Sequence, residues 1–261
     1  MTDPELRNEG AVERRAWIMS RLRSAGFLAI ADLARDLAVS SMTVRRDLHA
    51  LEAGGRIRLV HGGATLTSDE LHPGAFPDDG NEVGRRRIAT RAVQLVGDTD
   101  TITLDAGPTA YALARALPDT FHGSVITHSM PVLHLLDRRE FPVRTVALGG
   151  ELQPERHAFV GPGAESAATQ LRARTFFLSV AAADQRGTYS CSAGEASIQR
   201  RLTEIADQVV LIATHAAFTG SAPACVVPLE RLTAVVTDRP LPRHIASALH
   251  RAGVVSHIAD R

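Results

Sequence analysis

A short segment near the N-terminus groups hydroxyl and guanidinium side chains at helical spacing. Arg45 and Arg46 are adjacent, and serine, methionine and threonine residues lie just before them. At the N-terminal end of a helix, arginine can pair with guanine edges or phosphates, while hydroxyl and exposed N–H groups can bind phosphate oxygens. This chemistry is typical of nucleic-acid binding. The candidate DNA contacts here are Ser40, Ser41, Met42, Thr43, Arg45, Arg46 and His49.

The apolar residues of the same segment predict how those side chains are presented. Val44, Leu48 and Leu51 recur at helical spacing, so they share one face of a helix and leave the polar residues on the other. Two helical patterns precede this helix, and the second, over residues 31–38, is joined to it by a very short connection. This arrangement is typical of a helix-turn-helix, in which the last helix enters the major groove.

A short β-ribbon is expected after the third helix. Residues 56–64, RIRLVHGGA, alternate in the manner of a strand, and their glycine pair suits a tight turn, as in a winged helix. Residues 21–65 carry a local charge of +3 in a chain with no net charge. This excess is modest, and on charge alone the arginines also fit an ordinary solvated helix face.

The chain is expected to form two domains. Residues 67–84 are rich in proline, glycine and acids without an apolar period, which predicts a linker. Beyond it, strand-like runs such as 101–104 alternate with helical runs, as in a mainly parallel sheet with crossover helices. We therefore predict an α/β protein with a small winged helix-turn-helix domain over residues 1–66 and a larger α/β domain over residues 85–261.

The composition is that of a globular protein and argues against a membrane or secreted protein. Hydrophobic residues make up 44% and charged residues 22% of the 261 residues, as in globular proteins. No window reaches the roughly 18 apolar residues of a membrane span, and the N-terminus lacks the layout of a secretory signal. Only two cysteines occur. We expect a cytoplasmic protein with reduced thiols and no membrane partner.

The types of basic residue in the chain exclude catalysis that depends on lysine. All 29 are arginine, so lysine Schiff bases and lysine general bases are ruled out. The 11 histidines show no spacing typical of a metal site. We expect no metal and no cofactor.

The string from Ala31 to Ala64 closely resembles the N-terminal signature of the DeoR family of bacterial transcriptional repressors. The family core Val-Ser-x-x-Thr-x-Arg-Arg-Asp-Leu stands at residues 39–48, and the wing motif His-Gly-Gly-Ala stands at residues 61–64. The resemblance continues through DAGPT and FVGPGAE and covers essentially the whole chain. It implies binding to double-stranded operator DNA, with wing residues beside the recognition helix. The wing contacts it implies are Arg58 and His61.

The loop after residues 101–104 is the candidate ligand site. Its sequence DAGPT leads from a strand into a helix, so a helix N-terminus stands at the carboxyl end of a strand, where anions collect. The resemblance implies a fold similar to ribose-5-phosphate isomerase, glucosamine-6-phosphate deaminase and coenzyme A transferases, with a small anionic, sugar-phosphate-like effector. The candidate effector residues are Asp105, Gly107, Thr109, His128, Ser129, Gly149, Gly150, Arg156, Glu195 and His215.

Several positions depart from the family pattern around that loop, among them His128, which stands where members usually carry asparagine. Pro108 lacks an N–H that could face a phosphate, while Ala181 and Ala217 stand where members usually carry an acid and a lysine. Loss of the lysine removes a charge that anchors phosphate, and Arg156 or another arginine is the candidate replacement.

The sequence is therefore compatible with three functions. The first is a DNA-binding regulator, expected to repress carbohydrate or related genes under effector control. The second is the same regulator with a degenerate sensor domain used only for assembly. The third is an isomerase-like enzyme, which the missing acid and lysine disfavour, so no catalytic residue is assigned. Because one recognition helix reads few bases, we expect a homo-oligomer, either a dimer or a tetramer.

Overall fold

The computed structural model describes residues 10–25, 27–53, 56–60, 62–66 and 80–259. The chain divides into two compact units, Met1–Gly74 and Ala75–Arg261. The division falls within the predicted linker, whose residues 67–79 lie outside the described part of the chain. Its last residues, 82–84, form the first turn of a helix.

The first unit is a helix-turn-helix followed by a β-ribbon. Its elements are α1 (Ala11–Ala25), β1 (Phe27–Ala29), α2 (Ile30–Asp36), α3 (Ser41–Ala53), β2 (Ile57–Val60) and β3 (Gly63–Leu66). The strands form an antiparallel sheet in the order β1-β3-β2. The predicted winged helix is therefore confirmed. Strand β1 was not predicted, because three residues are too few to show an alternating pattern.

The core of the first unit follows the helical apolar pattern. Val44 and Leu48 of α3 are fully buried, and Leu51 is nearly so. They pack against apolar residues of α1, α2 and the ribbon. Between α2 and α3, Ala38 adopts a left-handed conformation with φ 53°, and the Val39 N–H donates to the Ala34 carbonyl at 3.1 Å. This sharp turn sets the direction in which α3 leaves α2.

The second unit is an α/β domain. Its helices are α4 (Glu82–Ala92), α5 (Pro108–Ala116), α6 (Met130–Asp137), α7 (Pro162–Ala168), α8 (Ala193–Glu204) and α9 (Arg243–Arg251). Its strands are β4 (Thr101–Leu104), β5 (Ser124–Thr127), β6 (Arg144–Ala147), β7 (Glu151–Gln153), β8 (Ala158–Val160), β9 (Ala173–Leu178), β10 (Ala182–Asp184), β11 (Gly187–Ser190), β12 (Ala206–Ile212), β13 (Ala224–Cys225), β14 (Ala234–Thr237) and β15 (Val255–Ile258). Short 3-10 turns occupy Val93–Leu95, His215–Phe218 and Leu229–Arg231.

A parallel sheet of seven strands organises this unit, in the order β15-β14-β12-β9-β4-β5-β6. The chain first builds outward from β4 to β6, then crosses to β9 and builds outward in the other direction. The strand order therefore reverses between β4 and β9. In open α/β sheets, ligands bind in the crevice that such a reversal opens at the carboxyl ends of the strands. The predicted mainly parallel α/β fold is confirmed.

Side chains of the central strand β9 pack into the hydrophobic clusters on both faces of the sheet. Phe176 and Leu178 lie in the cluster that contains α8, whereas Phe177 lies in the cluster that contains α4 and α5. This alternation is the period of a strand buried on both faces. Two smaller antiparallel sheets, β10-β11-β13 and the β7-β8 hairpin, complete the unit. No helix among the described residues is long and apolar enough to cross a membrane.

Candidate functional site

The predicted DNA contacts of α3 form one exposed stripe. Met42, Arg45, Arg46 and His49 recur at helical spacing, and all four are exposed, Met42 by 70% of its surface. Arg58 on β2 is also exposed, whereas His61 lies outside the described residues. The first unit therefore presents two adjacent guanidinium groups and a thioether on the face opposite its core.

Two of the predicted contacts also begin α3. The Ser40 Oγ accepts the Thr43 backbone N–H at 3.1 Å and lies 2.9 Å from the Thr43 Oγ1. This is the hydrogen bond of an N-cap, for which alanine costs about 1 kcal/mol. Ser40 is exposed and Thr43 half-buried, so both hydroxyls remain at the surface that carries Ser41.

Asp47 fixes the orientation of α3, a role that the sequence reasoning missed. Its side chain is buried, and its carboxylate accepts from the Arg14 Nε at 2.7 Å and lies 3.7 Å from the Arg15 Nε. The bonds join α3 to α1. At the end of α3, the Glu52 Oε1 accepts the Leu59 N–H at 2.9 Å and ties the ribbon to the helix. The sequence signal that could have predicted this role is the position of Asp47 beside Leu48, on the apolar side of the helix.

The second candidate site is built around the carboxylate of Asp105, at the carboxyl end of β4. The side chain is fully buried. Its Oδ1 accepts from the Ala106 N–H at 2.8 Å and from the His128 ring at 2.9 Å, and its Oδ2 accepts from Ser179 N–H and Gln199 Nε2, both at 2.8 Å. A carboxylate has about four acceptor positions. Asp105 therefore holds the crevice together, because both of its oxygens accept hydrogen bonds from within the unit. Its predicted contact with an effector stays a prediction.

His128 is fully buried between two acceptors. Its Nε2 faces Asp105, and its Nδ1 lies 2.9 Å from the carbonyl oxygen of Phe159. Both partners are acceptors, an arrangement that favours a ring protonated on both nitrogens. Burial by itself lowers the pKa of His128, but the hydrogen bond and charge of Asp105, helped by the Phe159 carbonyl and the charge of Glu195, raise it above its ordinary value.

Gln199 and Ser179 belong to the site but were not predicted. The Gln199 Nε2 donates to Asp105 and to the Ser179 carbonyl at 3.0 Å, and its Oε1 accepts from the Ser190 hydroxyl. Both oxygen and nitrogen of the buried amide are thus satisfied, which locks α8 against β9 and β11. A glutamine inside a helix carries no sequence signal of its own.

The predicted glycines and hydroxyls of the site have backbone roles. Gly107 precedes α5 with φ 123°, and a Cβ there would lie 3.2 Å from the Ser179 hydroxyl. Gly150 has φ 139°, and a Cβ would lie 2.7 Å from the Val160 carbonyl, whereas Gly149 faces open space. Thr109 is buried in the first turn of α5, and buried Ser129 is the N-cap of α6.

Arg156 and Glu195 form an ion pair between the β7-β8 turn and the first turn of α8. The Arg156 Nη2 donates to the Glu195 Oε1 at 2.9 Å, and about a third of the arginine side chain, 34%, is exposed. Burial raises the pKa of Glu195; the charge of Arg156 opposes this rise, and that of Asp105 adds to it. The hairpin that carries Arg156 is joined to the Asp105 network at His128, whose carbonyl accepts the Phe159 N–H at 2.8 Å.

His215 does not join that network through any hydrogen bond among the described residues. It lies past the carboxyl end of β12, where its backbone N–H donates to the Asp238 Oδ1 at 2.7 Å. Ala217, in the same 3-10 turn, packs in the core beside Phe218. The structure thus brings Asp105, His128, Arg156 and Glu195 together and leaves His215 at a neighbouring strand end.

Two family models match the chain. The model described as "DeoR-like helix-turn-helix domain" matches residues 14–70, and the model described as "DeoR C terminal sensor domain" matches residues 81–239. Each model falls almost entirely on one of the two units.

Curated relatives align over almost their whole length. The chain is 30% identical to the transcriptional repressor AccR of Agrobacterium fabrum, with 94% of this chain and 97% of that protein covered. It is 29% identical to the HTH-type transcriptional repressor CsqR of Escherichia coli K12, with 89% of each covered. It is 25% identical to the glycerol-3-phosphate regulon repressor of the same strain, with 91% and 94% covered. Both units are therefore shared with these relatives.

Replacing Asp47 should loosen the first unit. Asp47→Asn removes the charge that holds Arg14, and we expect a loss of about 1 to 3 kcal/mol, less than for a fully buried pair because Arg15 stays partly exposed. Calorimetric unfolding of the full chain measures this loss. The matched control is Asp32→Asn, since Asp32 pairs with Arg35 at the surface and should contribute little. Equal losses in the two variants would contradict the anchoring role.

The raised pKa of buried His128 should make the stability of the second unit depend on pH. The pKa of His128 is raised in the folded state, so its contribution is complete below the ordinary pKa of 6.5 and is lost as the pH rises through the folded pKa. We expect Tm to fall from neutral to mildly alkaline pH, and His128→Asn to flatten this slope. Thermal unfolding at constant ionic strength measures both slopes.

The control for this measurement is His244→Asn, which removes an exposed histidine from α9. Glu195 is present in all three proteins, so the difference between the Tm slopes of His128→Asn and His244→Asn reports on His128 together with its coupling to Glu195. A slope in His128→Asn as steep as in the native chain would show that the ring is not charged.

Proposed function

Because the chain belongs to the DeoR family of transcriptional regulators, we propose that it represses genes of carbohydrate or related metabolism by binding operator DNA under control of a small anionic effector. The observation that carries this proposal is the exposed stripe of α3. Arg45 and Arg46 project from a helix whose opposite face is the core and whose orientation is fixed by Asp47. Rigid presentation of guanidinium groups is what base reading in the major groove requires.

The position of the wing also supports binding to DNA. Arg58 is exposed on β2, and β2 is tied to α3 through Glu52. Recognition helix and wing are therefore parts of one rigid surface. We propose that Ser40, Ser41, Met42, Thr43, His49 and His61 complete the DNA-facing set.

We propose that the effector binds at the carboxyl edge of the parallel sheet. The crevice lies where the strand order reverses, the first turn of α5 stands beside it, and Arg156 supplies a partly exposed cation. A relative named for the glycerol-3-phosphate regulon supports a phosphorylated or similar anionic metabolite. Within this site Asp105 and His128 position the loops, while Arg156, paired with the buried Glu195, keeps about a third of its side chain exposed.

A second candidate is a regulator whose second unit serves assembly alone. The observation that favours it is the closure of the crevice, because Asp105 and His128 are fully buried and engaged with each other. Catalysis is not proposed, since Ala217 packs in the core where the family lysine would stand. In either form we propose a homo-oligomer, dimer or tetramer, acting in the cytoplasm.

Removing either guanidinium of α3 should weaken DNA binding without unfolding the protein. We expect Arg45→Ala and Arg46→Ala each to cost ~1 to 3 kcal/mol if the arginine reads a base, or to lower the salt slope by about one unit if it binds phosphate. Fluorescence anisotropy on a duplex selected from a random library, at matched salt, measures both effects.

Arg172→Ala is the matched control, because Arg172 is an exposed arginine of the second unit paired with Asp207. This variant should bind DNA like the native chain, and all three should keep the native Tm. Native affinity in both α3 variants would remove this helix from the interface.

The selected duplexes should contain repeated half-sites. One helix reads few bases, so a symmetric oligomer should require two half-sites about 34 Å apart, or a multiple of that distance. We expect insertion of half a helical turn between them to abolish tight binding, as measured by footprinting. Tight binding to a single half-site, regardless of spacing, would contradict the oligomer.

A further inference from the structure

Strand β15 is an edge of the seven-stranded sheet, and its outer side meets no other strand of the described chain. On its inner side, the Val255 N–H donates to the Thr233 carbonyl at 3.2 Å, and the Ala259 N–H donates to the end of β14 at 2.8 Å. Because the N–H and C=O groups of a strand point alternately to its two sides, those of Ser256 and Ile258 point outward. An open strand edge of this kind is a template for pairing with another chain.

The two edges of the sheet differ in their protection against such pairing. At the other edge, β6 begins with the exposed Arg144 and follows Pro142, and charge and proline are common means of blocking an edge strand. Strand β15 reads VSHI and carries no arginine, acid or proline. Burial and the charge of Arg91 lower the pKa of His257, so its ring is neutral at pH 7. The sequence of β15 is therefore that of a strand whose edge is left open to pairing.

A groove lies beside this edge, on the face of the sheet that carries α9. Ser256 lies on that face, because its register partner Val235 packs into the hydrophobic cluster that contains residues of α9. Ile258, two residues further along, lies on the same face and leaves 39% of its surface exposed. The groove has a volume of about 530 Å³ and is lined mainly by small or apolar residues: Ala246, His250, Gly253, Val254, Val255 and Ser256.

Antiparallel pairing of two β15 strands would make this groove and this exposed side chain complementary. A two-fold axis at His257 places Ser256 of one copy opposite Ile258 of the other, and every outward N–H and C=O of these two residues then has a partner. Residues that are opposite each other in an antiparallel pair lie on the same face of the sheet. Each Ile258 side chain therefore lies at the groove of the other copy.

We propose that β15 is a subunit interface, at which two copies of this chain pair their edge strands across a two-fold axis and join their seven-stranded sheets into one. The occupant of each groove is Ile258 of the second copy. Because the groove and the side chain that fills it belong to the same strand, the surface is self-complementary, as a two-fold interface must be. The inference rests on the proposed function in one respect, since it assigns the surface through which the proposed homo-oligomer forms.

Two variants of the edge test the interface. Ser256→Pro removes an outward N–H and leaves the bonds to β14 in place, while Ile258→Glu brings a charge to the groove of the other copy. We expect each variant to raise the dissociation constant between the two copies at least about tenfold, since each change acts twice at a two-fold interface. Sedimentation equilibrium of the full chain over a concentration series measures this constant.

Phe141→Glu is the matched control, because it makes the same kind of change at an apolar residue that is 50% exposed and lies shortly before β6, the other edge strand. This variant should associate like the native chain. An equal rise of its dissociation constant would overturn the proposal, because the effect would then not belong to β15. Far-ultraviolet circular dichroism checks that all three variants are folded, and Ile258→Glu and the cross-link below decide the question if Ser256→Pro is not.

A cross-link tests the register of the pair. In a chain that also carries Cys191→Ser and Cys225→Ser, His257→Cys should form a covalent dimer on oxidation with diamide, because the two copies of residue 257 face each other with their Cα atoms about 4.5 Å apart. Ser256→Cys in the same background should form far less, since its two copies are diagonal neighbours about 7 to 8 Å apart, beyond the reach of a disulfide. Non-reducing gel electrophoresis measures both yields.

The outcomes separate this inference from the proposed function. Native association of both Ser256→Pro and Ile258→Glu, or a stronger cross-link at residue 256 than at residue 257, would refute the β15 interface and leave a homo-oligomer built through another surface. A native chain that stays monomeric at every concentration would refute both the interface and the homo-oligomer. DNA binding by α3 is measured separately, with the arginine variants of that helix, and is not decided by these results.

Discussion

The architecture of the second unit depends on one carboxylate, that of Asp105, which accepts four hydrogen bonds where the strand order reverses. Its partners come from the loop after β4, the end of β5, the end of β9 and the middle of α8. A buried charge of this kind is costly unless it is paired and fully hydrogen-bonded. Here the ring of His128, whose pKa is raised, is the partner of Asp105, and its second nitrogen extends the connection to β8. The crevice, the hairpin and α8 are thus held by a single group.

The same use of charge recurs in the first unit at a smaller scale. Asp47 is a buried carboxylate that joins two helices through arginine, and Glu52 joins helix and ribbon through a backbone N–H. Since every cation of the chain other than histidine or the N-terminus is an arginine, the ion pair of Asp47 uses a planar guanidinium, which can hold a carboxylate in a fixed geometry. The exposed arginines of α3 thus lie on a helix that other arginines hold in place through Asp47.

Local sequence patterns predicted the helices, strands and loops, but they could not predict contacts between residues that are distant in the sequence. The spacing of Val44, Leu48 and Leu51 was sufficient to place α3 and its core face, and DAGPT was sufficient to place a loop at the end of β4. The partners of Asp105 were not predictable, because Ser179 and Gln199 lie 74 and 94 residues away. The ionisation of His128 depends on two acceptors that only the folded chain brings together. The prediction that Asp105 and His128 contact an effector stays a prediction, while their pairing with each other could be seen only in three dimensions.

The reversal of strand order also affects how the protein is made. The first unit is built from neighbouring segments, and contacts of this kind form fast. The second unit cannot pair β4 with β9 until the chain between them has been synthesised, since Asp105 must wait for Ser179 and then for Gln199. Domains fold as units, N-terminal first, during synthesis. The nascent chain therefore completes α3 of the first unit before the crevice of the second unit, with its contacts from Asp105 to Ser179 and Gln199, can form.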